Sequence, residues 1–357
     1  MIDWTETSPQ RAGVNPMGVA GVLELVHERG GIAQLCVLRR GKVVLDRAIG
    51  CQPDDLFWIF SASKPFVALL VHLLAERGKL ALDDPVAEYW PKFGQRGKES
   101  ITIRQVLRHR AGLPVARSRI RDALAMTNWD RSTRAIERAH PSRPAGDVPA
   151  YHWLSYGFIL GEVVRRVTGT PVEEFLRTEF LDPLGLADTS LGLPADRWSR
   201  HVPIHGHGRA GRISQVYLNR RATRQAVIPA AGISTTARDL AQFYETLRRG
   251  GELDDVRVLA ADTVEEARKP SSDGESDALL HKPIRWAQGF QLGSPGRPGA
   301  MGQYSSPETF GHNGSNCCIG WVDPGRQLVV TYLTDQLMAH GAAHLRAVSD
   351  AIINACR

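Results

Sequence analysis

Apolar residues recur with a helical period over residues 15–29, where Val19, Val22, Leu23, Leu25 and Val26 form a stripe that Gly30-Gly31 ends. Two apolar runs follow, residues 32–38 and 43–49, joined by Arg39-Arg40-Gly41-Lys42. Runs of that length around a short turn predict a β-hairpin. After Ser61, residues 62–77 are apolar on nearly every face until Gly78, the pattern of a buried helix. Leu82-Asp83-Asp84-Pro85 predicts a short helix with an Asp cap and Pro in its first turn. Residues 101–109 predict another, closed by Ala111-Gly112-Leu113-Pro114.

From about residue 91 to 224 the pattern is mostly helical, interrupted by Pro and Gly. Residues 156–168 form its clearest segment, and 172–180 follow. Beyond Pro229 a helix is predicted over 236–249 and strands over 288–292, 317–322 and 328–333. Asp323-Pro324-Gly325-Arg326 reads as a tight turn between the last two, and residues 342–355 as a terminal amphipathic helix. Strands therefore sit at both ends of the chain and helices in the middle. That order predicts an α/β fold of the α+β type, with an antiparallel sheet formed by both termini and flanked by helices. Residues 1–90 plus 225–357 are expected to make the body, and 91–224 a mostly helical insert between its two parts. Hairpins rather than crossovers join the strands, which argues against a doubly wound parallel sheet.

The composition is that of an ordinary globular protein. Of 357 residues, 43% are hydrophobic and 23% charged, which excludes disordered, collagen-like and coiled-coil classes. A net charge of +6 raises nucleic acid as a partner. The Arg-rich stretch 104–143 holds only one aromatic residue, Trp129, so no stacking platform accompanies the charge. It reads as a solvated face, and no nucleic-acid partner is expected. The five cysteines, Cys36, Cys51, Cys317, Cys318 and Cys356, form no C-x-x-C and suggest neither a disulfide framework nor a zinc site. The polar start, Met1-Ile-Asp-Trp-Thr-Glu, is unlike a secretory signal, and no run approaches the ~18 apolar residues of a membrane span. A soluble, reducing, cytoplasmic setting is expected.

Several motifs can be set aside. Gly206-His207-Gly208-Arg209-Ala210-Gly211 matches G-x-G-x-x-G, but no strand is predicted before it, no helix after it and no βαβ unit around it. His201, His205 and His207 share that Gly-rich loop with no carboxylate expected nearby, so a surface loop is expected rather than a metal site. His340 and His344 read as solvated. Gly293, Gly296, Gly299 and Gly302 read as a flexible loop. There is no G-x-S-x-G elbow. No cofactor and no metal are called for.

Ser61-Ala62-Ser63-Lys64 is an S-x-x-K at the point where an extended run becomes a buried helix. Residues three apart share a helical face, so the Lys64 amine can lie beside the Ser61 hydroxyl. The helix N-terminus offers unpaired N–H groups that stabilise a developing oxyanion. Burial depresses a lysine pKa and favours the neutral amine, which can act as a base. The alternative is an N-cap serine with an exposed lysine. Tyr151, on the loop before residues 156–168, can share a proton with Ser61. His312 can polarise Tyr151 or orient a substrate. Gly314 permits a close backbone approach, leaving a following N–H as an oxyanion donor.

These residues fall among ordered landmarks. Phe57-Trp58-Ile59-Phe60-Ser61-Ala62-Ser63-Lys64, Gly78-Lys79-Leu80-Ala81-Leu82-Asp83-Asp84-Pro85, the stretch Ile101-Thr102-Ile103-Arg104-Gln105-Val106-Leu107-Arg108-His109-Arg110-Ala111-Gly112-Leu113-Pro114, and Gly232-Ile233-Ser234-Thr235-Thr236-Ala237-Arg238-Asp239-Leu240 occur in that order. In this the chain resembles the serine β-lactamase and penicillin-binding superfamily, in its class C-like branch of carboxylesterases and acyltransferases, from about residue 32 to 334. The resemblance implies a β-lactamase/transpeptidase-like fold. It implies Ser61 as the acylated nucleophile, Lys64 as its base partner, Tyr151 as the second-motif tyrosine, and His312 and Gly314 in the third motif. The oxyanion donors would be the backbone N–H groups of Ser61 and Ser315. Tyr151-His152-Trp153 departs from Tyr-x-Asn, and His312-Asn313-Gly314 from Lys-Thr-Gly. The lost amide and cation suit a β-lactam less than an ester. The expectation is a serine hydrolase acting on small-molecule carboxylic esters, with transacylation open to it. A β-lactamase or D,D-peptidase is the alternative, and a catalytically silent binding protein of the same fold is the third reading.

Overall fold

The computed structural model describes residues 2–338 and 340–356. In chain order, the elements that position the site are α1 (Pro16–Arg29), β1 (Ala33–Arg39), β2 (Lys42–Ile49), α2 (Lys64–Glu76), α3 (Arg119–Ala125), α4 (Ser155–Thr168), α5 (Gly208–Leu218), α6 (Ala237–Arg248), β3 (Gln291–Leu292), β4 (Phe310–Gly314), β5 (Cys318–Asp323), β6 (Leu328–Thr334) and α7 (Gly341–Ala355).

The main sheet has the order β3-β4-β5-β6-β1-β2, and every neighbouring pair is antiparallel. The N-terminal hairpin docks through β1 on β6, with Val37 opposite Val330. Both faces of the sheet are covered, so β1 and β6 are buried throughout rather than alternating. On one face Leu35, Val37, Leu328, Val330 and Tyr332 pack with Val22 and Val26 of α1 and Leu345, Val348 and Ile352 of α7. On the other, Cys36, Leu38, Val329 and Leu333 join a larger core with α2 and α6. The Thr331 hydroxyl donates to the Ala237 carbonyl at 2.8 Å. A Cβ on Gly320 would strike the Tyr244 ring, which shows how closely α6 lies on β5.

The nucleophile segment enters through a separate three-stranded sheet. Phe57–Trp58 pairs with Ile233–Thr235, which pairs in turn with Ser190–Leu191. A 3-10 turn, Phe60–Ser63, then feeds α2, whose residues from Lys64 to Leu74 are all buried. That burial matches its all-round apolar sequence.

Some local expectations differ from what forms. Asp84 caps no helix; its carboxylate accepts from the Ala81 N–H at 2.6 Å, and Pro85 precedes the short helix. Thr102 and Gln105 form a capping box that starts Ile103–Leu107. The segment after Phe310, which has no alternating apolar pattern, is strand β4. The Gly-rich stretch after His205 is not a loop: His205–Gly206 bridges Gln336–Leu337 in parallel, and α5 starts at Gly208. No βαβ unit surrounds it, since that bridge is two residues long. His205 does have a carboxylate neighbour, Asp335, 3.6 Å away, brought there by the fold rather than by sequence proximity. His344 is half-buried rather than simply solvated, and its Nε2 lies 2.9 Å from the Tyr332 hydroxyl.

Candidate active site

Ser61 sits in the 3-10 turn, half-buried, one residue after Phe60, which has a positive φ of 50°. A positive φ is uncommon for a bulky residue and marks a strained turn held by its surroundings. The Lys64 Nζ lies 3.4 Å from Ser61 Oγ and 3.3 Å from the Ala230 carbonyl oxygen. The lysine is fully buried, so its alternative as an exposed surface residue fails. Burial holds its pKa well below the ordinary lysine value, which favours the neutral amine.

Tyr151 lies against both. The Lys64 nitrogen stands 4.6 Å from the Tyr151 ring centroid. Burial raises the phenol pKa; a hydrogen bond with the Ser61 side chain works against that rise, and Asp277 adds to it. The phenol is therefore protonated near neutral pH.

A buried shell holds Tyr151 in place. Its backbone N–H donates to Asp277 Oδ2 at 2.8 Å. Trp286 Nε1 donates to the same oxygen at 3.1 Å, and the indole is stacked on Tyr151 with centroids 5.4 Å apart. The other oxygen, Asp277 Oδ1, accepts from the Leu279 and Leu280 N–H groups, each at 2.9 Å. The His109 ring packs on Tyr151, Tyr156 and Trp286 with centroids 4.9, 4.8 and 4.5 Å away. The His152 N–H donates to His109 Nδ1 at 3.1 Å, which leaves the proton of a neutral His109 on Nε2. Burial, then neighbouring His152, Lys64 and His312, keep His109 well below its ordinary pKa. His152 points away from chemistry: its Nδ1 lies 2.7 Å from the Ala150 carbonyl, and its Nε2 accepts from the Leu113 N–H at 3.4 Å.

His312 and Gly314 lie on β4, the strand that packs against the Ser61 turn. His312 is buried, with its centroid 6.3 Å from that of Tyr151. Its Nδ1 lies 2.7 Å from the Asn313 carbonyl and donates to it, so Nε2 is the bare acceptor and has no protein partner. Burial and then Lys64 push its pKa down to about 3. A Cβ on Gly314 would collide with the Ile59 carbonyl oxygen, so only glycine lets β4 approach the turn this closely. Ser315 follows with a positive φ of 44°, turning the chain towards β5.

Ser61, Lys64, Tyr151, His312 and Gly314 thus converge from three separate segments of the chain. Asp277 and Trp286 were missed by the sequence reading. Asp277 sits in a polar loop with no motif around it, and Trp286 stands just ahead of a predicted strand. His109 was visible only as part of a family-like stretch. Among the described residues, no group of three or more His, Cys, Asp or Glu is arranged to hold a metal ion.

The geometry is that of a serine hydroxyl beside a buried lysine amine. The beta-lactamase family model matches residues 23–354, and the chain belongs to that family. It is 31% identical to the esterase/beta-lactamase LipL of Mycobacterium tuberculosis over 315 residues, covering 80% of this chain and 70% of LipL. A family VIII carboxylesterase superposes with a TM-score of 0.82 at 24% identity, over 96% of this chain and 98% of that one. A penicillin-binding protein homolog from Caulobacter crescentus gives 0.81 at 27% identity, with the same coverages.

Proposed function

We propose that the protein is a serine hydrolase that cleaves carboxylic esters through an acyl-enzyme on Ser61. One observation carries the reading: the Ser61 hydroxyl lies 3.4 Å from a buried amine whose pKa burial lowers well below the ordinary lysine value. Ser61 Oγ attacks the ester carbonyl and its proton passes to Lys64 Nζ. As the ester C–O bond breaks, the Tyr151 phenol gives its proton to the departing alkoxide and is reprotonated from the Lys64 ammonium. The Ser61 and Ser315 N–H groups are assigned to the carbonyl oxygen, at the start of a helix and just after β4. Water then attacks the acyl-enzyme with Lys64 and Tyr151 in the reverse roles. An alcohol taking the place of water gives a transacylase. His312 is assigned to orienting the substrate through its unpartnered Nε2, which accepts a hydrogen bond.

The kinship with an esterase/beta-lactamase supports ester cleavage. Trp153 and His312 stand where β-lactamases of the family carry an amide and a cation, which disfavours β-lactam turnover. We further take residues 91–224 as the cover of the site and the rest as its body. A reducing, cytoplasmic setting fits five cysteines that all remain thiols. No helix among the described residues is long and apolar enough to cross a membrane. Parallel assays with p-nitrophenyl butyrate and nitrocefin test the substrate class. Turnover of the ester with little of the β-lactam is expected; strong nitrocefin turnover without ester cleavage would overturn the reading.

A further inference from the structure

Among the described residues, seven large hydrophobic side chains stand exposed, and four of them belong to two neighbouring helices. Ile120 and Leu124 on α3 are 75% and 56% exposed, and Ile213 and Val216 on α5 are 67% and 64% exposed. The helices meet where the Tyr217 hydroxyl donates to the Ala123 carbonyl at 2.9 Å. Ala123 follows Ile120 by one turn and adjoins Leu124; Tyr217 follows Ile213 by one turn and adjoins Val216. Helical geometry puts Ile120 and Leu124, four apart, on one face of α3, and Ile213 and Val216, three apart, on one face of α5. Exposed aliphatic residues scattered singly need no explanation, whereas a group of them marks an interaction surface.

The exposed charges on the two helices themselves have one sign. Helix α5 contains no acidic residue. The only acid on α3, Asp122, is buried and accepts from the Ala116 N–H at 2.8 Å and Arg117 Nε at 3.3 Å. Arg117, Arg119, Arg121, Arg209, Arg212 and Arg220 are all exposed.

Both helices are hydrogen-bonded to segments that adjoin the active site. Arg119 Nη2 donates to the Leu279 carbonyl at 3.5 Å, and the Leu279 N–H is held by Asp277, which also holds Tyr151. His207, just before α5, lies 2.5 Å from the Gln336 side chain through its Nε2. Arg29 donates to both the Gln336 and Asn316 carbonyls, next to Ser315.

We propose that α3 and α5 form a docking face for an anionic lipid surface. The aliphatic tips enter the boundary between headgroups and acyl chains, and the arginines pair with lipid phosphates. Arginine suits this position because its guanidinium binds phosphate through two donors. Nucleic acid fits less well, because aliphatic side chains offer no stacking face. A second copy fits less well too, because a two-fold contact would set the arginine fringe against itself. The surface is independent of the acyl chemistry, so lipid binding and Ser61 turnover fail separately.

Co-sedimentation of the full chain with vesicles of phosphatidylglycerol and phosphatidylcholine, against phosphatidylcholine alone, tests the proposal. The protein should sediment with the anionic vesicles, less with the zwitterionic ones, and less at high salt. Ile213→Ser/Val216→Ser and Ile120→Ser/Leu124→Ser should each weaken that binding about tenfold or more. Both should keep full turnover of p-nitrophenyl butyrate in solution, and Ser61→Ala should bind vesicles as the parent does. The proposal is overturned if the parent ignores anionic vesicles or if the variants bind them equally well. It is also overturned if light scattering finds a dimer of the parent that the variants convert to monomer.

Discussion

The Trp286 indole and the Tyr151 phenol ring lie face to face, with planes 8° apart, and the Trp286 N–H and the Tyr151 backbone N–H converge on one oxygen of Asp277. Tyr151, the proposed proton donor, is thus held by its own backbone and by the ring stacked on it, both through one buried carboxylate. Asp277→Asn retains the shape but weakens these charge-assisted bonds, and small misplacements of a catalytic group lower rates steeply. The expected outcome is a fall in kcat of about 10–100-fold with little change in KM. Steady-state kinetics on p-nitrophenyl butyrate checks it, with Asp277→Glu as the conservative comparison.

Lys64 gives a prediction of opposite signs for activity and stability. Its folded pKa is depressed by burial, so the unfolded chain binds the proton more readily than the native state does. Between the folded and unfolded values stability rises with pH, whereas turnover rises at lower pH, through the folded value, as the native amine loses its proton. Lys64→Met removes the base and the buried amine together. It should lower kcat by about 10²–10⁴-fold, the usual worth of a general base. It should leave Tm near pH 7 equal or higher, by thermal melting, because the cost of keeping an amine in an apolar site disappears.

The buried histidines make the fold sensitive to acid. Burial depresses His152 and His72 to about 4 and His312 to about 3. In the unfolded chain these groups take up protons near 6.5. Their contribution to stability is complete above that value and is lost progressively as pH falls towards 3–4. Urea midpoints should drop steadily from pH 7 to pH 4.5, and His72→Phe, remote from Ser61, should flatten the slope.

Ser63 separates architecture from chemistry. Its hydroxyl accepts from the Ile233 N–H at 3.1 Å and is fully buried. Ser63→Ala leaves that N–H without a partner and should cost about 1–3 kcal/mol of stability, read by urea unfolding. Turnover should stay within a few-fold of the parent.

Gly314 tests the approach of β4. In Gly314→Ala the new methyl meets the Ile59 carbonyl, so the strand must retreat from the Ser61 turn. A fall in kcat of about 10²-fold or more is expected, since an oxyanion donor shifted by this amount loses most of its effect.

The sheet from both termini, the hairpin and the buried helix α2 were legible because their apolar runs are long and their turns are marked. The Ser61–Lys64 pair was legible because three-residue spacing on a helix start leaves few places for either side chain. Strand β4 was not, because Phe310-Gly311-His312-Asn313-Gly314 has two glycines and no period-two pattern; its strand state comes from pairing with β3 and β5. The start of helix α5 was not legible, because the helix buries no residue and its sequence carries no core-facing stripe. Asp277 became visible only in three dimensions, since it acts on a backbone N–H 126 residues away in sequence.

The central claim is that Ser61 carries the acyl group. Intact-protein mass spectrometry after brief exposure to a panel of activated acyl esters, followed by peptide mapping, tests it most directly. One acyl addition on the peptide containing Ser61, absent from Ser61→Ala and still present in Ser63→Ala, is the predicted result. An adduct that survives in Ser61→Ala, or that maps to Ser63, would contradict the account.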